Sequence, residues 1–429
     1  MSATGRPIMK TMRLFLLSGT LILAACTTVQ REPAPESMLS TPAPMGFQSD
    51  IRYASTDPKA VKSRFSEIIQ RRRAASRDHA LNILALSGGG SGGSFGAGAL
   101  VGFSQQGKRP QFDVVTGVSA GALIAPFAFL GPAWDDRLDR NFSGAHSENF
   151  LIPRWLGVLF RPGLYENEPL VKFVDDFVTD DMIREVASQA ALGRLLLVAT
   201  TDLDKEETII WDMGQIAAHG GKAAHNLFRD VLVASASIPG VFPPIIIPVE
   251  NASSQYDEMH VDASATVPFF VAPALAYVLP LDPDTLKGAN VYVIVNGQLG
   301  TAPQTTPVDT ISILSRSFTA VLQHRARSEI ALTSEFAQRY GMNLRLTAIP
   351  VSYPFQGPLY FHESSSRELF DYGVACARKG GLWTTVEQLV ALDENVPSPI
   401  SRKREPAGKQ PKPACPLEPL DMPPTSTRP

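Results

Sequence analysis

The alternation of apolar and polar positions changes period repeatedly along the chain. Short apolar runs at 81–86, 113–116, 195–200, 207–211, 290–295 and 344–350 are bounded by Gly, Pro and polar clusters, which predicts strands. Between them, apolar residues recur every three or four positions at 97–106, 120–130, 167–178, 180–191 and 223–235, the spacing of helices that pack by one face. A longer helix is predicted over about 308–340, with Ile311, Leu314, Phe318, Val321 and Leu322 on one stripe. Apolar strands that alternate with helices predict an α/β protein, a mainly parallel central sheet covered on both faces in three layers (α/β/α). No internal repeat interrupts the pattern.

The two ends read differently. Arg6, Lys10 and Arg13 precede an apolar run from Leu14 to Leu23, too short to span a bilayer as an ordinary helix, and Leu23-Ala24-Ala25-Cys26 closes it. This is the order of a secretory signal, and its last four residues resemble a bacterial lipoprotein signal. That resemblance implies removal of residues 1–25, a thioether-linked diacylglycerol and an N-acyl chain on Cys26, and a stable membrane anchor through several acyl chains. Thr27 follows, with no aspartate of the kind that retains lipoproteins at the inner membrane. The resemblance therefore implies an outer-membrane location facing the periplasm. Residues 26–78 read as a Pro/Ser/Thr-rich tether followed by a basic helix, with Val61, Phe65, Ile68 and Ile69 at helical spacing beside Arg71-Arg72-Arg73. Residues 79–392 form the expected folded domain, and 393–429 a disordered Pro-rich tail.

Composition narrows the partners. The chain has 429 residues, 44% hydrophobic and 19% charged, with a formal net charge of −3. That weak negative balance gives no support for nucleic acid as a partner. Cys376 and Cys415 are the only cysteines besides Cys26, and no metal-ligand spacing involves them. An oxidising compartment permits a disulfide between the two, which two residues alone do not establish.

Two stretches carry chemistry. Gly88 to Gly93 follow the apolar run 81–86, so a glycine-rich turn presents backbone N–H groups at a helix start. Gly117-Val118-Ser119-Ala120-Gly121 lies between an apolar run (Phe112 to Val115) and a small-residue helix, the context that a nucleophile elbow needs. Ser119 is the candidate nucleophile, held at a helix N-terminus where negative charge is favoured. The glycine run then suits an oxyanion. A phosphate-binding loop would need a lysine after its last glycine, and none occurs before Lys108. Pro126, inside the following helix, is expected to kink it or end its regular bonding.

A serine nucleophile needs a base. Seven histidines are available, of which His362 and His324 are the candidates for a Ser-Asp-His triad. A different block stands out: Asp262-Ala263-Ser264, downstream of the run from Ala234 to Pro244 (Ala-Ser-Ala-Ser-Ile-Pro-Gly-Val-Phe-Pro-Pro). With these in order, the chain from about 80 to 375 resembles the patatin-like phospholipase family. The resemblance rests on Gly88 to Gly93, on Gly117 to Gly121 and on Asp262, with supporting likeness at Gly163-Leu164-Tyr165 and Ala199 to Leu203. It implies a Ser119–Asp262 dyad, and an oxyanion held by N–H groups of Gly88, Gly89, Gly90, Gly93 and Ala120. Gly117 and Gly121 would shape the elbow, and neither a metal nor an organic cofactor would be needed. The implied activity is hydrolysis of lipid acyl esters through an acyl-enzyme. The alternatives are a triad esterase and a catalytically silent lipid- or partner-binding lipoprotein.

Two departures from the family pattern bear on the site. Ala263 and Ser264 stand where the family has Asp-Gly-Gly or Asp-Gly-Ala, so a left-handed backbone at Ala263 would be strained. Gly92 stands where many members carry Arg or Lys. An apolar cluster at Trp155, Leu156, Val158, Leu159 and Phe160 suggests an acyl-chain mouth or, more simply, core packing.

Overall fold

Along the strand Asn82–Leu86, Leu84 and Leu86 face one hydrophobic core, and Ile83 and Ala85 face another. The strands beside it repeat the alternation: Leu196 and Val198 against Leu197 and Ala199, Tyr292 and Ile294 against Val291 and Val293. A sheet buried on both faces gives continuous apolar strands with no polar alternation, which is why they stand out in the sequence. The computed structural model describes residues 31–35, 42–60, 63, 80–144, 151–152, 162–251, 254–272, 286–300, 305–385 and 415–416.

The strands are β1 (Ala43–Pro44), β2 (Arg52–Ala54), β3 (Asn82–Leu86), β4 (Val114–Gly117), β5 (Leu195–Asp202), β6 (Glu207–Asp212), β7 (Ile245–Asn251), β8 (Ser254–Asp262), β9 (Asn290–Gln298) and β10 (Asn343–Ile349). The centre of the sheet is parallel in the order β10-β9-β3-β4-β5. Beyond β5 the pairing turns antiparallel, through β6 to β2 and through β8 and β7 to β1.

One face is covered by α1 (Gly93–Gln105), α2 (Ala120–Leu130), α4 (Glu168–Phe177), α5 (Asp180–Ala191), α6 (Met213–His219), α7 (Gly221–Ala236) and α9 (Glu363–Arg378), with α3 (Asp135–Phe142) beside them. The long α8 (Thr310–Arg339) covers the other through Ala326, Ile330, Phe336 and Ala337. The layers are therefore unequal, although their number is as the sequence predicts. No helix among the described residues is long and apolar enough to cross a membrane.

Several expectations need correction. Residues 42–54 are not free tether: β1 pairs with β7, β2 pairs with β6, and Arg52 is buried. The tail reading of 393–429 fails at Cys415, which is buried and disulfide-bonded to Cys376 across 39 residues. Helix α1 begins at Gly93, inside the glycine run, and α2 continues through Pro126. The hairpin β7–β8 and helices α3, α6 and α9 were not legible as periodic segments. The signal segment with Cys26, most of the basic helix and the cluster Trp155–Phe160 lie outside the described residues.

Candidate active site

The strand-to-helix turn between β4 and α2 forces Ser119 to φ 54° and ψ −125°. A positive φ is rare for a residue with a side chain and marks local strain. The flanking glycines are required by space. A Cβ on Gly117 would sit 2.6 Å from the Cα of Ala122, and one on Gly121 would sit 2.4 Å from the carbonyl oxygen of Leu86. The N–H of Ser119 donates to Ser235 Oγ at 3.0 Å, which ties the elbow to the last turn of α7.

Sheet geometry brings Asp262 to this serine. Gly117, the last residue of β4, lies opposite Val198 of β5. Two residues further along β5, Thr200 lies opposite Asp262 of β8. Because β6 occupies the other edge of β5 throughout, β8 must take the edge that β4 vacates. The end of β8 therefore meets the end of β4. The Ser119 hydroxyl donates to Asp262 Oδ2 at 2.6 Å, the N–H of Ser264 donates to Oδ1 at 2.7 Å, and the N–H of Asp262 donates to the carbonyl of Ser237 at 2.9 Å. Burial of Asp262 is complete and pushes its carboxyl up to about 6 from 3.8; hydrogen bonds from Ser119 and Ser264 pull the other way.

Ala263 causes no strain. It starts a short 3-10 turn (Ala263–Ala265) capped by the Asp262 side chain, and it is not among the residues with positive φ. The sequence departure is absorbed without moving the carboxylate away from Ser119.

The glycine turn is moulded on Asn296 of β9. Added Cβ atoms at Gly89 and Gly92 would lie 1.8 and 2.1 Å from the Asn296 carbonyl oxygen, and one at Gly96 2.2 Å from its Oδ1. A charged side chain at position 92 has no room here. The predicted oxyanion donors divide into two groups. The N–H of Gly88 is spent on the carbonyl of Pro268 at 3.0 Å, and that of Gly93 on the carbonyls of Gly90 and Ser91. Those of Gly89, Gly90 and Ala120 engage no acceptor among the described residues. Gly90, Ser119 and Ala120 line a cavity of about 70 Å³ whose other walls include Leu123, Phe142, Phe173, Ile238 and Phe242.

No histidine completes a triad among the described residues. His362 is exposed at the N-terminal end of α9, where its side chain makes no capping bond, and lies tilted against Tyr360 with ring centroids 4.7 Å apart; His324 is exposed on α8. Neither is bonded to Ser119 or Asp262. His260 lies two residues before Asp262 but serves a different network. Trp211 Nε1–H donates to Thr200 Oγ1 at 2.8 Å, Thr200 Oγ1 lies 3.0 Å from His260 Nδ1, and His260 Nε2 lies 3.1 Å from the Glu258 carboxylate. Burial opposes ionisation of Glu258, but the hydrogen bond from His260 and the charge and hydrogen bond of Arg52 outweigh it and hold that carboxyl well below its usual range.

Asp202, Glu258 and His260 lie close enough together to suggest a metal cluster. Arg52 at 2.5 Å from Glu258, and Lys205 at 2.7 Å from Glu258 and 3.2 Å from Asp202, already balance the charge. Sequence reasoning missed this network and the role of Ser235. The run at 234–244 is the one sequence signal near Ser235, and it does not say that this hydroxyl takes the Ser119 N–H.

Residues 84–274 match the sequence model of the patatin-like phospholipase family. No curated protein sequence matches the chain. Among solved structures, VipD from Legionella pneumophila is similar at 14% identity and a TM-score of 0.28, over 70% of this chain and 67% of that one. The type III effector protein ExoU is similar at 15% identity and a TM-score of 0.21, over 70% of this chain and 53% of that one, so the chain spans about half of ExoU. The turn at Gly88–Gly93, the elbow at Ser119 and the strand end at Asp262 all fall inside the segment, residues 84–274, that matches the patatin-like phospholipase family.

Proposed function

We propose that the protein is a serine acyl hydrolase that cleaves acyl esters of phospholipids or related lipids through a Ser119–Asp262 dyad. The observation that carries this reading is the 2.6 Å hydrogen bond from the strained, buried serine to a carboxylate with no histidine between them. Ser119 Oγ attacks the acyl carbonyl carbon while its proton passes to Asp262 Oδ2. The unspent N–H groups at Gly89, Gly90 and Ala120 are the candidates to receive the oxyanion; Gly88 and Gly93 are not. Collapse breaks the bond to the alcohol oxygen, which takes the proton from Asp262. Water then attacks the acyl-enzyme, gives its proton to Asp262, and the released Ser119 Oγ recovers it as the fatty acid leaves. Every proton is accounted for within the dyad, with no metal or organic cofactor in the sequence of steps.

The test is a fluorophosphonate label on the protein lacking residues 1–26, with hydrolysis of a short-chain acyl ester followed in parallel. Ser119→Ala should abolish both; Asp262→Asn should abolish turnover. A folded wild-type protein that neither labels nor hydrolyses refutes the proposal.

We further propose a location in the bacterial envelope, anchored through lipidated Cys26 on the periplasmic side of the outer membrane. The Cys376–Cys415 disulfide supports an oxidising compartment. Mass spectrometry of the mature N-terminus tests it, and a free Cys26 thiol or an uncleaved residue 1 would exclude the anchor.

A further inference from the structure

A second cavity lies against the glycine turn. Its volume is about 450 Å³, within the range of small-molecule sites. Ser87, Gly88 and Gly89 line it, whereas Gly90 lines the cavity that holds Ser119. The turn is thus a wall common to both. Gly88 comes close to the nucleophile itself, since a Cβ there would lie 3.1 Å from the Cβ of Ser119. The end of β9 contributes Asn296 and Gly297. The register of β9 on β10 slips here, from Val295 opposite Ala348 to Gln298 opposite Ile349, and an added Cβ on Gly297 would meet nothing within 4 Å.

The opposite wall is α8, with Arg316, Gln323 and His324. No acidic side chain lines the cavity among the described residues. Arg316 is partly buried, and no hydrogen bond or ion pair engages its guanidinium among the described residues. A partly desolvated cation without a counter-charge is unfavourable unless a ligand supplies one. The outer face of α8 points to the source of that ligand. Ile313, Leu314 and Val321 are exposed by 48, 52 and 50%, and the helix carries no acidic residue before Glu329; Arg325 donates to the carbonyls of Ala265 and Thr266, and Arg327 to that of Leu299. An exposed apolar face without acidic residues suits a lipid surface.

We propose that this cavity receives the phosphate ester head group of the lipid whose acyl ester reacts at Ser119, with Arg316 as its counter-ion. The inference rests on the acyl hydrolase reading above and adds a head-group subsite: the lipid would lie across the glycine turn, acyl chain on one side and phosphate on the other.

Calorimetric titration of the Ser119→Ala protein tests it without turnover. The ligands are dihexanoyl phosphatidylglycerol below its micellar concentration, neutral dihexanoylglycerol, glycerol 3-phosphate and inorganic phosphate. The phospholipid should bind more tightly than the other three. Arg316→Gln, checked for fold by circular dichroism, should weaken it at least tenfold and leave dihexanoylglycerol unaffected, and Arg316→Lys should restore part of the loss. Equal affinity for phospholipid and dihexanoylglycerol, an unchanged affinity in Arg316→Gln, or no binding of phospholipid would overturn the proposal. Binding of free phosphate as tightly as phospholipid would overturn the lipid assignment. Arg316-dependent binding by a wild-type protein that hydrolyses no ester would instead sink the hydrolase reading alone.

Discussion

Replacing Asp262 by Asn should destroy activity and stabilise the fold, and the stabilisation should depend on pH in a stated direction. The carboxyl titrates near 6 in the native state, against an ordinary 3.8. The native state therefore holds this proton more tightly than the unfolded chain does. Wild-type stability falls as pH rises from about 4 through 6 and is level above that, as far as this group is concerned. At about 1.4 kcal/mol for each decade, the cost is on the order of 0.5 kcal/mol at pH 4 and about 3 kcal/mol at pH 8. Asparagine does not titrate and keeps the shape: its Oδ1 accepts from the Ser264 N–H, and its amide donates to Ser119 Oγ. Asp262→Asn should thus gain roughly 2–3 kcal/mol relative to wild type between pH 4 and pH 8. Urea denaturation of both proteins at five pH values measures this, because the other titrating groups cancel in the difference. Turnover should fall by about 10²–10⁴-fold, the range for a lost general base. A difference that is flat with pH, or that shrinks toward pH 8, would refute the argument from burial.

Further outcomes follow from the same geometry. In the wild type, kcat/KM should rise with pH to a plateau just above 6, as Asp262 becomes the ionised acceptor that Ser119 needs. Ser119→Gly should relieve the positive φ and stabilise the fold by about 1–3 kcal/mol, whereas Ser119→Ala, which retains the strain, should not; thermal unfolding separates the two. Gly92→Ala should destabilise by about 1–3 kcal/mol and reduce turnover, because its Cβ would press on backbone at Asn296; normal stability in that variant would show that the turn has slack. Cys415→Ser should cost about 4 kcal/mol by the chain-entropy estimate for a 39-residue separation, measured as a lowered midpoint that wild type shares only under reduction.

The parts that were legible in the sequence are those where physics acts locally. Strands buried on both faces give apolar runs, so β3, β4, β5, β6, β9 and β10 were found within a few residues. The limits of α2 at Ala120–Leu130 and of α5 at Asp180–Ala191 fall where turn residues and caps demand. The β7–β8 hairpin was missed for a physical reason. In β8 the residues Glu258, His260 and Asp262 share one face of the strand and are all buried, so polar groups sit where a half-buried strand would show apolar ones. Their burial is made tolerable by Arg52 and by Thr200, partners from strands distant in sequence that no local pattern reveals. The docking of 42–54 was hidden likewise, because its pairings are to β6 and β7.

The same contrast explains which site residues were readable. Gly89, Gly90, Gly92, Gly117 and Gly121 were readable because each fills a space against backbone that admits no Cβ, so the constraint shows as the residue type itself. That the Gly88 N–H is spent was not, because its acceptor is the carbonyl of Pro268, brought in from far along the chain. Nor could the sequence say whether Asp262 reaches Ser119. That contact depends on β4 stopping at Gly117 while β5 continues to Asp202, which leaves a vacant edge for β8 to fill. Had β4 run two residues longer, it would occupy the edge opposite Thr200, and Asp262 would have no place beside the elbow. The glycine at position 117 ends the strand and turns the chain into α2 at once. One small residue therefore sets both the strain on the nucleophile and the vacancy that admits its base.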